Sequence, residues 1–365
     1  MTAIKPEINV YKRKSAPKKI KPGEASRIAL IGAFDSTETN PLLFPDLSSA
    51  RTELGTDTTN YKGCSVLEPL FYGASSILAV NITTKTGTGN DVTVNKDLTT
   101  SNLTSALAKI KNEEFDMLFV AEQLTDEALE IIENFCDERF KMKLPIGYTA
   151  AINRATATLF NNTVGLVGDH VYGLVTQPYS TTYNVYDLLN ATAHYTGVLA
   201  ALNVGLSMTQ KQVPDIISLG AEYTFEDGDL GLILMQKGYT VFECIDRRNA
   251  VYVVKNSEQP NGLDLYINRV RDYVIRQFKL REFLGDRNRN ASLNSIRDEL
   301  KRVRDECVDN LDLLKDIDYE IIRKNSKCVD VYINKLLFDD IITTMNVYVT
   351  LEVEQWKKLV LTAQK

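Results

Sequence analysis

The stretch from Phe115 to Ala151 limits the possible folds more than any other part of the chain. "FDMLFVAE" (Phe115 to Glu122) is an almost unbroken apolar run, as in a strand buried on both faces. "TDEALEIIENFCDERF" has apolar residues at helical spacing and opens on Thr125, a residue type that caps helix starts. "LPIGYTAA" then returns to a strand. Strand, helix and strand at this spacing imply parallel pairing and an α/β layer with right-handed crossovers. Upstream, "RIALIGAF" (Arg27 to Phe34) and "SSILAVNIT" (Ser75 to Thr83) read as further strands, "TKTGTGNDVTVNK" (Thr84 to Lys96) as a loop or hairpin, and "LTSALAKIKN" as a helix.

Downstream, Asn190 to Ser207 reads as a helix rich in small residues, which permit close backbone packing and imply burial. "GYTVFECIDRRNAVYVVKN" (Gly238 to Asn256) reads as a hairpin turning at Asp246 to Asn249. The breaker "SEQPNG" follows, and a domain boundary is expected near Pro260. Leu263, Tyr266, Val270, Val274 and Phe278 then fall at helical spacing in a helix that ends by Gly285. A second helix carries Leu293, Ile296, Leu300, Val303 and Cys307 on one face, with Asn290 and Ser292 as candidate caps. "CVDVYINKL" and "MNVYVTLEVE" return to strands.

Both ends of the chain lack an evident partner. Val347, Val349, Leu351 and Val353 alternate with Tyr348, Thr350, Glu352 and Glu354, the period of a half-buried strand, and a strand needs a neighbour. Residues 1–24 alternate briefly at Ile8 and Val10, then become basic and proline-bearing from Tyr11 onward. They cannot bury enough apolar surface to fold alone, so they are expected to be an arm, disordered or taken up by a partner.

Composition narrows the class. In 365 residues, 44% hydrophobic and 25% charged, no apolar run reaches the roughly 18 to 20 residues of a membrane span, so membrane insertion is not expected. The start of the chain lacks the pattern of a secretory signal, which points to synthesis in the cytoplasm. Five scattered cysteines (Cys64, Cys136, Cys244, Cys307, Cys328) form no CxxC pair and read as core thiols. His170 and His194, the two histidines, have no metal-site spacing around them and read as structural. "TGTGND" lacks the lysine of a phosphate loop, and Asp227 and Asp229 lack the twelve-residue calcium pattern. No catalytic residue, metal site or cofactor is expected.

The net charge of −6 is unevenly spread: Leu265 to Arg304 holds eleven Lys or Arg against five Asp or Glu, a local +6. Asn294, Arg297, Lys301 and Arg304 share one helical face. Such a face suits a solvated surface, an acidic protein partner or, less well without stacking aromatics, nucleic acid.

The order of these features resembles the sheath proteins of contractile tails, of the short type in phages and phage-tail-like bacteriocins of Gram-positive hosts. The resemblance rests on "ALIGAFDSTETNPLLF", "LEPLFYGASSILAVNIT", "FDMLFVAEQLTDEALEIIENFCDE", "AHYTGVLAALNVGLSMTQKQV", "LMQKGYTVFECIDRRNAVYVV" and "RVRDYVIRQFKLREFLGDRNRNASLNSIRDEL". It implies an N-terminal arm (1–24), an outward α/β body (25–259), a tube-facing helix-strand domain (260–344) and a C-terminal arm strand (345–365). It further implies a non-enzymatic subunit that polymerises with itself as a helical sheath around an inner tail tube protein, between baseplate and tail terminator proteins, and contracts from a metastable extended state. The particle is a phage tail or tail-like body assembled in the bacterial cytoplasm and released. Carried over by position, Ile8, Val10, Tyr11, Val347, Val349, Leu351 and Val353 would be arm residues that add strands to neighbouring subunits. Arg297, Lys301 and Arg304, with Arg287 and Arg289 before them, would face an acidic tube. No nucleic-acid partner is implied. The alternative is an α/β enzyme or ligand-binding protein.

Overall fold

The computed structural model describes residues 7–8, 26–86, 93–142, 144–152, 168, 170–176, 185–214, 216, 223–246, 251–278, 290–325, 328–338 and 344–345. The chain forms two compact units, one of residues 22–338 and a smaller one made of its two ends, 1–21 and 339–365. In the smaller unit, β1 (Glu7–Ile8) pairs in parallel with β15 (Thr344–Met345), Glu7 opposite Thr344 and Ile8 opposite Met345.

The larger unit is built on a six-stranded sheet. Its strands are β2 (Arg27–Gly32), β3 (Leu42–Phe44), β4 (Ser76–Asn81), β7 (Met117–Gln123), β8 (Gly147–Ala151) and β9 (Val171–Val175), in the order β3-β4-β2-β7-β8-β9. Only β3, at an edge, is antiparallel. Numbered from β2, the parallel strands run second, first, third, fourth, fifth, a doubly wound order. Ile28 to Ile31, Ile77 to Val80 and Met117 to Ala121 are all buried, as their apolar runs require of strands covered on both faces. The expected strand-helix-strand stretch is β7, α4 (Asp126–Lys141) and β8, and Thr125 Oγ1 accepts the Ala128 N–H at 3.3 Å. α1 (Leu47–Leu54) follows β3, and α3 (Thr100–Ile110) opens on a reciprocal cap between Thr99 and Asn102. β5 (Thr84–Thr86) and β6 (Thr93–Asn95) form a hairpin, one of the two forms read for this stretch, and its tip at 87–92 lies outside the described residues.

The small-residue helix is α5 (Val185–Ala201), buried along most of its length against α2 (Lys62–Phe71). It begins five residues before Asn190 and stops six before Ser207, earlier than its composition suggests. The carbonyls it leaves unpaired find a donor distant in sequence: Arg269 donates to those of Leu199 (3.1 Å), Leu202 (2.8 Å) and Asn203 (3.3 Å). A second sheet, β10 (Gln212–Val213), β12 (Val251–Val254) and β11 (Phe242–Asp246), contains the expected hairpin. Its turn lies outside the described residues. α6 (Leu230–Gln236) precedes it, and "FEDGDLG" is the turn that starts α6, with Asp229 Oδ2 accepting the Glu226 N–H. Cys64, Cys136 and Cys307 are buried as expected, Cys244 is only half-buried on β11, and the side chain of Cys328 lies outside the described residues.

The remainder of the unit has its own apolar cluster. α7 (Leu265–Gln277), capped by Asp264, supplies Tyr266, Val270 and Val274, which pack with Val303, Cys307, Leu313, Leu314 and Ile317. α8 (Asn290–Asp305) runs into a π-helical turn, Glu306–Asn310. Asn290 and Ser292 lie inside α8 and not at its cap; Asn290 Oδ1 instead accepts from Arg323 at 3.2 Å. β13 (Asp316–Asn325), a strand absent from the sequence reading, pairs antiparallel with β14 (Cys328–Leu337), which contains the expected "CVDVYINKL".

Gly73 and Gly197 let α2 and α5 meet backbone to backbone: a Cβ on Gly197 would strike the Pro69 carbonyl, and one on Gly73 the Gly197 carbonyl. Gly to Ala inside a helix ordinarily gains up to about 1 kcal/mol. Here Gly197→Ala is expected to cost about 2 kcal/mol through overpacking, which urea unfolding of the full chain would measure.

Candidate inter-subunit surface

In a doubly wound sheet the ligand crevice lies beyond the carboxyl ends of the strands where the order reverses, here β2 and β7. The chain fills that place itself. Phe34, fully buried, donates its N–H to Asn81 Oδ1 and Thr83 Oγ1, both at 3.1 Å. The Gly63 N–H in the first turn of α2 bonds the Ala33 carbonyl, and Lys62 Nζ holds both Glu122 oxygens at 2.5 and 2.6 Å. One helix-start donor of α2 and the Lys62 charge beside it are thus engaged internally. His170 is buried with Nε2 3.0 Å from Asp137 Oδ1, and His194 is buried in α5.

Part of the basic stretch turns inward, because α7 is fastened to the sheet by buried charge. Asp272, 0% exposed, accepts from Tyr172 OH at 2.8 Å and Arg271 Nε at 2.9 Å. Burial pushes its carboxyl pKa up, against the pull of Arg271. Arg269 closes the end of α5, and burial lowers its pKa to about 10. Arg276 pairs with Asp116, whose other oxygen accepts the Arg27 N–H at 2.9 Å. Three of the eleven basic residues are therefore internal fasteners. Nothing local in the sequence marks them, since their partners lie 66 to 160 residues away, Asp272 excepted.

The charged face of α8 divides. Arg297 is exposed and touches Asn294 Oδ1 at 3.0 Å, and Lys301 is exposed, whereas Arg304 donates to Asp316 Oδ1 at 2.7 Å and holds that carboxyl below its ordinary pKa. Arg304 thus ties α8 to the start of β13, as Arg323 ties the far end of β13 to Asn290. Arg287 and Arg289 lie outside the described residues.

The hairpin β13–β14 exposes several large apolar side chains, Ile322, Tyr332, Ile333 and Leu337. A register shift at Asp318/Tyr319 sets Ile317 opposite Leu336, Tyr319 opposite Ile333 and Ile321 opposite Val331, which places these apolar residues on one face. Only the base of that face is covered: Ile317 is buried, Tyr319, Ile321 and Val331 are half-buried, and Ile333 is 37% exposed. Among the described residues neither long edge has a third strand. A ten-residue ribbon with a half-covered apolar face presents a surface that a further strand or a partner can cover. Of the arm residues, Ile8 lies in β1, while Val10, Tyr11, Val347, Val349, Leu351 and Val353 lie outside the described residues. The C-terminal pairing seen, at Thr344–Met345, begins just before the alternating segment.

No family model matches the chain, and no curated protein matches it. Solved structures do. The sheath tail protein of Desulfitobacterium hafniense is 12% identical with a TM-score of 0.60, over 86% of this chain and 93% of that one. The sheath tail protein of Listeria innocua gives 12% and 0.59, over 87% and 96%. The helical sheath of the anti-feeding prophage in its contracted state gives 10% and 0.60, over 95% and 98%. The likeness shows that this chain has the α/β fold of tail sheath proteins through nearly all of its length.

The raised pKa of Asp272 has a definite sign. A carboxyl shifted up on folding contributes stability that is present below its unfolded pKa of about 3.9 and is lost as pH rises through the folded value. Asp272→Asn keeps an acceptor for Tyr172 without the buried charge. It should be at least as stable as the parent at pH 7 to 8, with any advantage shrinking toward pH 4. Asp272→Ala should lose about 1 to 3 kcal/mol. Urea midpoints across pH read both.

Proposed function

We propose that the chain is the structural subunit of a contractile-tail sheath. The observation that carries this reading is the full-length likeness to sheath tail proteins and to an assembled, contracted helical sheath. The half-covered apolar face of the β13–β14 ribbon supports it, because β-augmentation by arms of neighbouring subunits would extend the ribbon and weave the polymer. In this reading residues 25–259 face outward, 260–344 face the inner tube protein, and the baseplate and a terminator protein bound the sheath. The particle is built in the bacterial cytoplasm and released. The α/β enzyme alternative finds little support, since the crevice its sheet would offer is filled by Phe34 and the Lys62–Glu122 pair.

Contraction is a passage from a metastable extended helix to a lower-energy one, and no nucleotide is required. Many lateral contacts change together while strand-paired arms keep subunits joined. α7 suits the unit to move as a whole, because its buried charge contacts tie the α8–hairpin part to the sheet. The tube contact falls to Arg297 and Lys301, with Arg287 and Arg289 as further candidates and Arg304 mainly internal. Solvated ion pairs of about 0 to 1 kcal/mol each guide assembly and still release.

Electron microscopy of the protein expressed alone and with its tube protein tests the reading: striated tubes or sheathed rods are expected, and uniformly monomeric particles under both conditions would overturn it. Removing residues 1–19 should leave a folded chain that no longer polymerises. Arg297→Glu with Lys301→Glu should impair co-assembly with the tube while leaving the urea midpoint within about 0.5 kcal/mol of the parent; unchanged co-assembly at modest salt removes the tube assignment.

A further inference from the structure

The two ends of the chain, far apart in sequence, pair with each other and form a unit of their own. A parallel pair cannot be closed by a tight turn. Its partner is therefore selected by proximity and register, and the same two strands can meet within one chain or between two copies. The pair seen is short, two residues on each strand, and a two-stranded ribbon of that size is marginal in water. Tethering at a high effective concentration holds it closed in an isolated subunit. A neighbour presenting the same strands displaces it at little cost, the logic of domain swapping.

Resting on the sheath reading above, we propose that β1 and β15 form a clasp, closed within each free subunit and exchanged between copies of this chain during polymerisation. The clasp occupies the arm strands until another subunit offers the same pairing. It thereby restrains polymerisation away from a growing end.

The test places cysteines at Ile8→Cys and Met345→Cys in the full chain, since directly paired backbone positions lie within disulfide reach. Oxidation of the dilute protein should give an intrachain bond between positions 8 and 345, located by peptide mass mapping. The oxidised subunit should polymerise about tenfold more slowly or not at all, and reductant should restore it. Each single variant should polymerise alike in both redox states, which separates the bond from the substitutions; the native Cys64, Cys136 and Cys307 are buried. Three results overturn the clasp: no intrachain bond in a folded monomer, a bond only between chains, or an oxidised monomer that assembles like the reduced one. If the unsubstituted chain polymerises neither alone nor with its tube protein, the sheath reading itself fails.

Discussion

The apolar cluster under α8 and β13 depends on the way α7 is held. A helix carrying Arg269, Arg271, Asp272 and Arg276 would ordinarily lie in solvent, yet Asn268, Arg269 and Asp272 are almost wholly buried. The arrangement is tolerated because each buried charge is answered: Arg269 by three carbonyls at the end of α5, Asp272 by Tyr172 and Arg271. Removing one partner of such a set leaves the other exposed to the full desolvation penalty. The geometry is therefore specific.

Arg139 repeats the device elsewhere in the body. Buried and stacked 4.1 Å from the Phe115 ring, it donates to the carbonyls of Ile110, Lys111, Glu113 and Leu144. Both arginines close the frayed end of a helix with a side chain brought from another element. Loops around them need less regular backbone pairing as a result.

The central sheet was legible because unbroken apolar runs and a capped amphipathic helix are local signals. Thr125 and the buried strands follow directly from them, and the hairpin at 238–256 from its two apolar strands around a polar turn. β13 was harder to read: Asp316, Asp318 and Glu320 look like the continuation of an acidic loop after α8, although Ile317, Tyr319 and Ile321 alternate with them as strand residues do. The inward turn of Arg269 and Arg276 could not be read, since each depends on a partner reached only through the fold. Arg304 belongs with them, because helical periodicity put it on the face of Lys301 but could not show Asp316 beside it.

The position of β2 has a mechanical meaning. The strand that follows the N-terminal end is the middle strand of its sheet, bonded to β4 along six residue pairs and to β7 along four. Tension arriving through the chain before residue 26 must strain two ladders together. The chain after residue 338 leaves instead from β14, half of a two-stranded ribbon, where bonds can open one at a time from the end. In the proposed sheath, a subunit whose ribbon has not yet been extended by a neighbour's arm would therefore yield at that ribbon before its sheet does.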